Sequence, residues 1–125
     1  DAPMRRALIA WDASREATRA VHDAIPLLVK ASAEVEVVVA AEHGGSAPTS
    51  ELIDHLARHN LHMDPARHLH TRESPGATLL RQLGSGKFDL VVMGAYGHPV
   101  WMEFLFGGTT RETFMRTTTP LLVSH

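Results

Sequence analysis

Two hydrophobic patterns alternate along this chain, namely nearly continuous apolar runs and apolar residues at helical spacing. Candidate strands over residues 5–11, 34–41 and 88–93 contain nearly continuous apolar runs, and a shorter apolar run occupies residues 121–123. Such runs are typical of strands that are covered on both faces of a sheet. Residues 66–72 form a weaker and more polar candidate strand, which we expect at a sheet edge.

Between the first three strands, apolar residues recur at helical spacing. Ser14 is a suitable N-cap for the first helix, and Pro26 should kink that helix or loosen one turn. A short second helix is expected from Thr49 or Ser50 to about residue 60. The residues predicted to face inward are Ala17, Val21, Ala24, Ile25 and Leu28 in the first helix and Leu52, Ile53 and Leu56 in the second.

Two further helices complete the pattern. Ser74-Pro75 is typical of a helix start, and glycines at 84 and 86 should stop that third helix. A fourth helix is expected from Thr110 to about residue 116. Strands that alternate with helices predict an α/β fold, in which a parallel sheet is covered by helices on both faces. The inward residues of the third helix are expected to be Ala77, Leu80 and Leu83.

A glycine-rich stretch follows the apolar run that ends at Met93. It reads Gly94-Ala95-Tyr96-Gly97, then nine residues, then Gly107-Gly108-Thr109-Thr110 at the start of the fourth predicted helix. Glycine lets the backbone approach an anion closely, and the free N–H groups of a first helical turn point toward it. The stretch is therefore a candidate phosphate site, although glycines after a strand also form plain turns.

Composition and net charge limit the classes of protein to which this chain can belong. The 125 residues suit one domain, and the net charge of −2 gives no electrostatic footprint for nucleic acid or an anionic membrane. There are no cysteines, which excludes disulfides and is compatible with a reducing cytosol. No apolar run approaches the roughly 18 residues of a membrane span. Because the chain begins with Asp1, we expect a piece of a longer protein or added residues before Met4.

The first strand ends in Asp12, and Gly94-x-x-Gly97 is followed after nine residues by Gly107. With Ser14, the element order and the closing Pro-Leu-Leu-Val, this pattern resembles the universal stress protein family over essentially the whole chain. The resemblance implies a three-layer, doubly wound, five-stranded parallel sheet of order 3-2-1-4-5, of the adenine nucleotide alpha hydrolase type. It also implies a single domain over residues 1–125, alone or as half of a tandem protein.

The family's function implies a site for ATP, with AMP or ADP as alternatives and Mg²⁺ as a possible companion. Strands one and four are neighbours in this order, and their carboxyl ends flank the switch point where open α/β sheets bind ligands. The resemblance places Asp12 near adenine and ribose, and Met93 and Gly94 beside the ribose. It makes Ala10 and Ala41 wall residues of the site, with the bulky Trp11 at its mouth. The residues that it places around the phosphates are Gly97, Gly107, Gly108, Thr109 and Thr110.

Two departures from the family pattern bear on ATP binding. Gly108 stands where ATP-binding members usually have Ser or Thr, so a hydroxyl donor to phosphate is lost unless Thr109 or Thr110 replaces it. Ala13 stands where a glycine often follows the aspartate.

Histidines offer a different chemistry. His55 and His59 are spaced as a helical zinc pair would be, with His62 close behind, but a solvated helix face is the favoured interpretation. His68 and His70 share one strand face, which we interpret as an exposed edge. The sequence contains no nucleophile elbow and no Walker lysine, so we predict no catalytic residues.

Three functions remain open. The leading one is a cytoplasmic, dimeric ATP-binding stress module with at most slow hydrolysis. The second is an interaction module without nucleotide, acting through its dimer face and the apolar segment 101–106. The third is a slow ATPase that uses Asp12 and a metal ion. Dimerisation is expected through the apolar edge strand of Leu121, Leu122 and Val123, or with a tandem sister domain.

Overall fold

A computed structural model describes residues 4–40, 48–69, 75–85, 87–94 and 119–124. The predicted fourth helix lies outside these residues, as do the segment 101–106, His70 and Leu80's side chain. The described elements are β1 (Arg6–Trp11), α1 (Arg15–Ala31), β2 (Glu34–Val39), α2 (Ser50–Arg58), β3 (His62–Met63), β4 (Arg67–His68), α3 (Pro75–Gly84), β5 (Leu90–Gly94) and β6 (Leu121–Ser124).

All described strands belong to one parallel sheet of order β3-β2-β1-β5-β6, with β4 also paired to β2. The short strands β3 and β4 fill the third position together, so the predicted order 3-2-1-4-5 is confirmed. The sequence analysis predicted one strand over residues 66–72. These bounds are wrong, because the third position is filled by residues 62–63 and 67–68. Pro65 separates the two pieces, and proline has no N–H for the ladder.

Successive β1 side chains enter two cores, one on each face of the sheet. Ile9 and Trp11 pack with α1 and α2, whereas Leu8 and Ala10 pack with α3. All four are at most 4% exposed, which is expected of a strand covered on both faces. The α/β architecture with helices on both faces is therefore confirmed.

The N-cap and the buried face of helix α1 agree with the prediction. Ser14 is the N-cap, and its hydroxyl accepts a 3.0 Å hydrogen bond from the N–H of Ala17. The helix contains Pro26 and continues to Ala31. Its buried residues are the five predicted ones and Ala20.

Helices α2 and α3 differ from prediction in their inner faces. Thr49 occupies the N-cap of α2 without a side-chain hydrogen bond, and Ile53 is 42% exposed because it lies beside the stripe of Leu52 and Leu56. In α3, Ala77 is exposed because it lies about 200° around the helix from the buried Leu79. No helix in the described part of the chain is long and apolar enough to cross a membrane.

Charged side chains gather where the strands begin. Arg6 forms ion pairs with Glu34, Glu36 and Asp64 at 2.6, 2.7 and 3.3 Å. At the same edge, hydrogen bonds from the backbone N–H groups of Arg5 and Arg6 hold the pKa of Asp89 below its ordinary value. This network lies opposite the edge where the strands end, which leaves that other edge for the candidate site.

Candidate functional site

The carboxyl ends of β1 and β5 meet at the switch point of the sheet. The two strands are parallel neighbours, and Ala10 pairs with Met93 in their register. From β1 the chain crosses to β2 on one side, whereas β5 is paired to β6 on the other. Diverging connections leave a crevice outside the strand ends, and ligands bind there in open α/β sheets.

The turn from β1 to α1 forms one wall of this crevice. Asp12 accepts a 3.0 Å hydrogen bond at Oδ1 from the N–H of Ser14, and its side chain is partly exposed. Between them, Ala13 has a φ of 61°, in the left-handed region that favours glycine. The turn therefore accounts for a preference for glycine after this aspartate, and Ala13 adopts the same turn at some cost in strain.

Gly94 ends β5 directly against the first turn of α1. A Cβ atom at this position would lie 2.6 Å from the Ala17 nitrogen and 2.8 Å from two atoms of Glu16. The β5 backbone thus approaches α1 more closely than any side chain permits. Sequence reasoning missed this packing role, although a glycine at the end of a buried strand is a signal of close backbone approach.

Apart from Asp12 and Gly94, the predicted site residues that the structure describes have side chains buried in the cores. The side chains of Ala10 and Met93 are 0% exposed, so only their backbone groups can face a ligand. Trp11 is 4% exposed, and its indole N–H donates a 2.8 Å hydrogen bond to the carbonyl oxygen of Pro48. Of the five predicted site residues that the structure describes, Asp12 has the one partly exposed side chain. Those outside the described residues are Ala41, Gly97, Gly107, Gly108, Thr109 and Thr110.

The group of three histidines differs from the one that the sequence spacing suggested, because His22 takes the place of His62. His55 of α2 lies between His22 of α1 and His59, with ring centroids 5.8 and 5.7 Å away. His62 lies apart from this group, and its Nε2 atom is 3.6 Å from Oδ1 of Asp64. Within the described ranges, no three His, Asp or Glu side chains are placed to hold a metal ion. No local sequence pattern pointed to His22, because the packing of α1 against α2 brings it to His55.

Similarity to known proteins adds to this geometry. The family model described as "Universal stress protein family" matches residues 3–125. No curated protein matches the chain.

Three solved structures with the same fold have low sequence identity to this chain. A universal stress protein in complex with cAMP is 20% identical with a TM-score of 0.62, over 99% of this chain and 98% of that one. The universal stress protein UspA from Lactobacillus plantarum is 18% identical with a TM-score of 0.63, over 100% of both chains. The universal stress protein from Archaeoglobus fulgidus in complex with dAMP is 14% identical with a TM-score of 0.58, over 98% of both.

Proposed function

Because the chain belongs to the universal stress protein family, we propose that it is a stress-response module that holds ATP in the crevice between β1 and β5. The observation that supports this proposal is the parallel pairing of Ala10 with Met93, because Asp12 and Gly94 follow these paired residues by two positions and one position at the switch point. Two proteins of the same fold bind adenine nucleotides, namely cAMP and dAMP.

The described residues fit an adenosine group in this crevice. Asp12 offers a partly exposed carboxylate as an acceptor for hydroxyl or amino donors, and Gly94 offers backbone without a side chain. Met93 contributes its backbone beside the ribose, and Ala10, Trp11 and Ala41 form the wall. We assign the phosphates to Gly97, Gly107, Gly108, Thr109 and Thr110, with Mg²⁺ as the companion ion. AMP and ADP are the alternative ligands.

We propose a binding switch with at most slow hydrolysis. Phosphoryl transfer requires metal and positive charge that are positioned around the phosphates. Beside the Gly-Gly-Thr-Thr turn, the nearest cation in the sequence is Arg111. Slow ATPase activity that uses Asp12 and a metal ion is the third candidate, and turnover measured with and without Mg²⁺ tests it.

The proposed module is one domain over residues 1–125, either a homodimer or half of a tandem protein. Strand β6 is the edge strand of the described sheet, and its apolar residues Leu121, Leu122 and Val123 suit pairing with a second copy. The composition favours a cytoplasmic protein without nucleic-acid or membrane partners.

The alternative is an interaction module that lacks nucleotide. Gly108 favours it, because the usual hydroxyl donor to phosphate is missing. A mass spectrum of the small molecules released from freshly purified protein separates the two functions. An adenine nucleotide in equimolar amount supports the proposed function, and its absence together with no ATP binding supports the alternative.

The substitution Gly108→Ser should strengthen ATP binding, since it adds a hydroxyl donor to a charged acceptor. Such a bond contributes roughly 1.5–3 kcal/mol at best. Calorimetric titration of parent and variant with ATP measures the difference. An unchanged affinity would mean that Thr109 or Thr110 already supplies the donor, or that no phosphate binds there.

A further inference from the structure

A second cavity lies between α1 and α2, on the face of the sheet opposite α3. Its volume is about 320 Å³. The floor is apolar and consists of Trp11, Val21 and Leu52, each at most 4% exposed. The rim carries charged and polar side chains of α2. An apolar floor with a few polar groups around it is the usual composition of a small-molecule site.

The two charged groups of this rim lie at opposite ends. Glu51 and Arg58 both line the cavity. Their Cα atoms are seven positions apart in α2, which is about 10.5 Å along a helix. Arg58 donates from Nε to the carbonyl oxygen of Asp54 at 3.4 Å, and it forms no ion pair with another residue of the described ranges. Its terminal N–H groups are suited to a carboxylate.

His22 and His59 lie beside His55, which lines the cavity together with Arg58. His55 lines the cavity and stacks on His22 with an interplanar angle of 24°. Burial lowers the pKa of His55, and positive charge on His59, Arg58 and His22 lowers it further. The same positive potential that disfavours a proton on His55 favours an anion at this end of the cavity.

We propose that the cavity between α1 and α2 binds a small aromatic monocarboxylate, with its ring on the Trp11 floor and its carboxylate on Arg58. The described floor residues offer no free side-chain donor to a polar ring, because the Trp11 indole N–H already bonds to the carbonyl oxygen of Pro48. At the far end Glu51 repels a second carboxylate, which restricts the ligand to one. Among the described residues that line this cavity, Trp11 is the one that also belongs to the proposed wall of the crevice between β1 and β5.

Benzoate and benzamide are matched probes for this site, because they share a ring and differ in charge. In amide-detected NMR titrations of the full chain, benzoate should shift resonances in residues 18–22 and 51–58. It should also raise the pKa of His55, since a bound anion favours the protonated ring. Benzamide should bind at least about tenfold more weakly and leave that pKa unchanged.

Two arginine variants complete the test. Arg58→Gln should weaken benzoate binding about tenfold without changing benzamide binding, because it removes the positive partner alone. Arg81→Gln, at an exposed position of α3 on the other face, should bind benzoate as the parent does. The proposal is overturned if benzoate leaves the resonances around the cavity unshifted, or if Arg58→Gln binds it as tightly as the parent.

Discussion

At the scale of single residues, the crevice depends on backbone as much as on side chains. Asp12 and Gly94 were predicted as site residues from their positions at strand ends, and they follow the paired residues Ala10 and Met93 by two positions and one position. The sequence did not predict that Gly94 packs on the first turn of α1, because that contact joins residues far apart in the chain. Any substitution of Gly94 therefore changes folding stability as well as the crevice.

We expect Gly94→Ala to destabilise the fold by about 2–3 kcal/mol, since its Cβ would overlap backbone atoms that cannot move aside. Urea unfolding measures this difference. The matched control is Gly84→Ala at the end of α3, where a Cβ meets nothing within 4 Å. A Gly94→Ala variant as stable as the control would show that α1 and β5 do not pack this closely.

At the scale of elements, the periodic and apolar segments were predictable and the irregular ones were not. Strands β1 and β2 and helix α1 were predicted at the correct places, because their burial follows directly from the spacing of their apolar residues. Residues 62–68 carry little periodicity, and Pro65 divides their pairing with β2. The neighbours of His55 depend on how α1 packs on α2, which no local pattern encodes.

The contact between α1 and α2 should weaken in acid. The pKa of His55 is lowered in the fold from its ordinary value of 6.5, mainly by burial, so the unfolded chain binds the proton more readily. Its contribution to stability is thus present above about pH 6.5 and is lost as the pH falls below that value.

Urea unfolding between pH 8 and pH 5 at constant ionic strength checks this expectation. The parent should lose more stability over this range than His55→Gln, which removes the titrating ring. Equal losses in both proteins would show that His55 does not contribute to the pH dependence.

At the scale of the whole molecule, β6 leaves one edge of the described sheet open. The N–H of Val91 donates to the carbonyl oxygen of Pro120 at 3.0 Å. Backbone polar groups alternate in direction along a strand. The backbone N–H and C=O groups of Leu122 and Ser124 therefore face β5. The same groups of Leu121 and Val123 face away from the sheet. This outward row is what a second copy would pair with.

Val123→Pro should shift the proposed dimer toward monomer, because it removes an outward donor and leaves the ladder to β5 in place. Leu122→Pro is the contrasting variant, since it removes a donor that faces β5 and should lower folding stability instead. Sedimentation and urea unfolding distinguish the two effects. A parent that sediments as a monomer at tens of micromolar would contradict self-pairing and favour a sister domain.

The most direct test of nucleotide binding in the β1–β5 crevice is calorimetric titration of ATP into the parent, Asp12→Asn and Asp23→Asn. Asparagine keeps the Oδ1 acceptor for the Ser14 N–H and removes the charge. We predict saturable binding to the parent, binding about tenfold weaker to Asp12→Asn, and parental binding to the exposed Asp23→Asn. The absence of binding to the folded parent, or equal affinity of Asp12→Asn, would contradict the proposal.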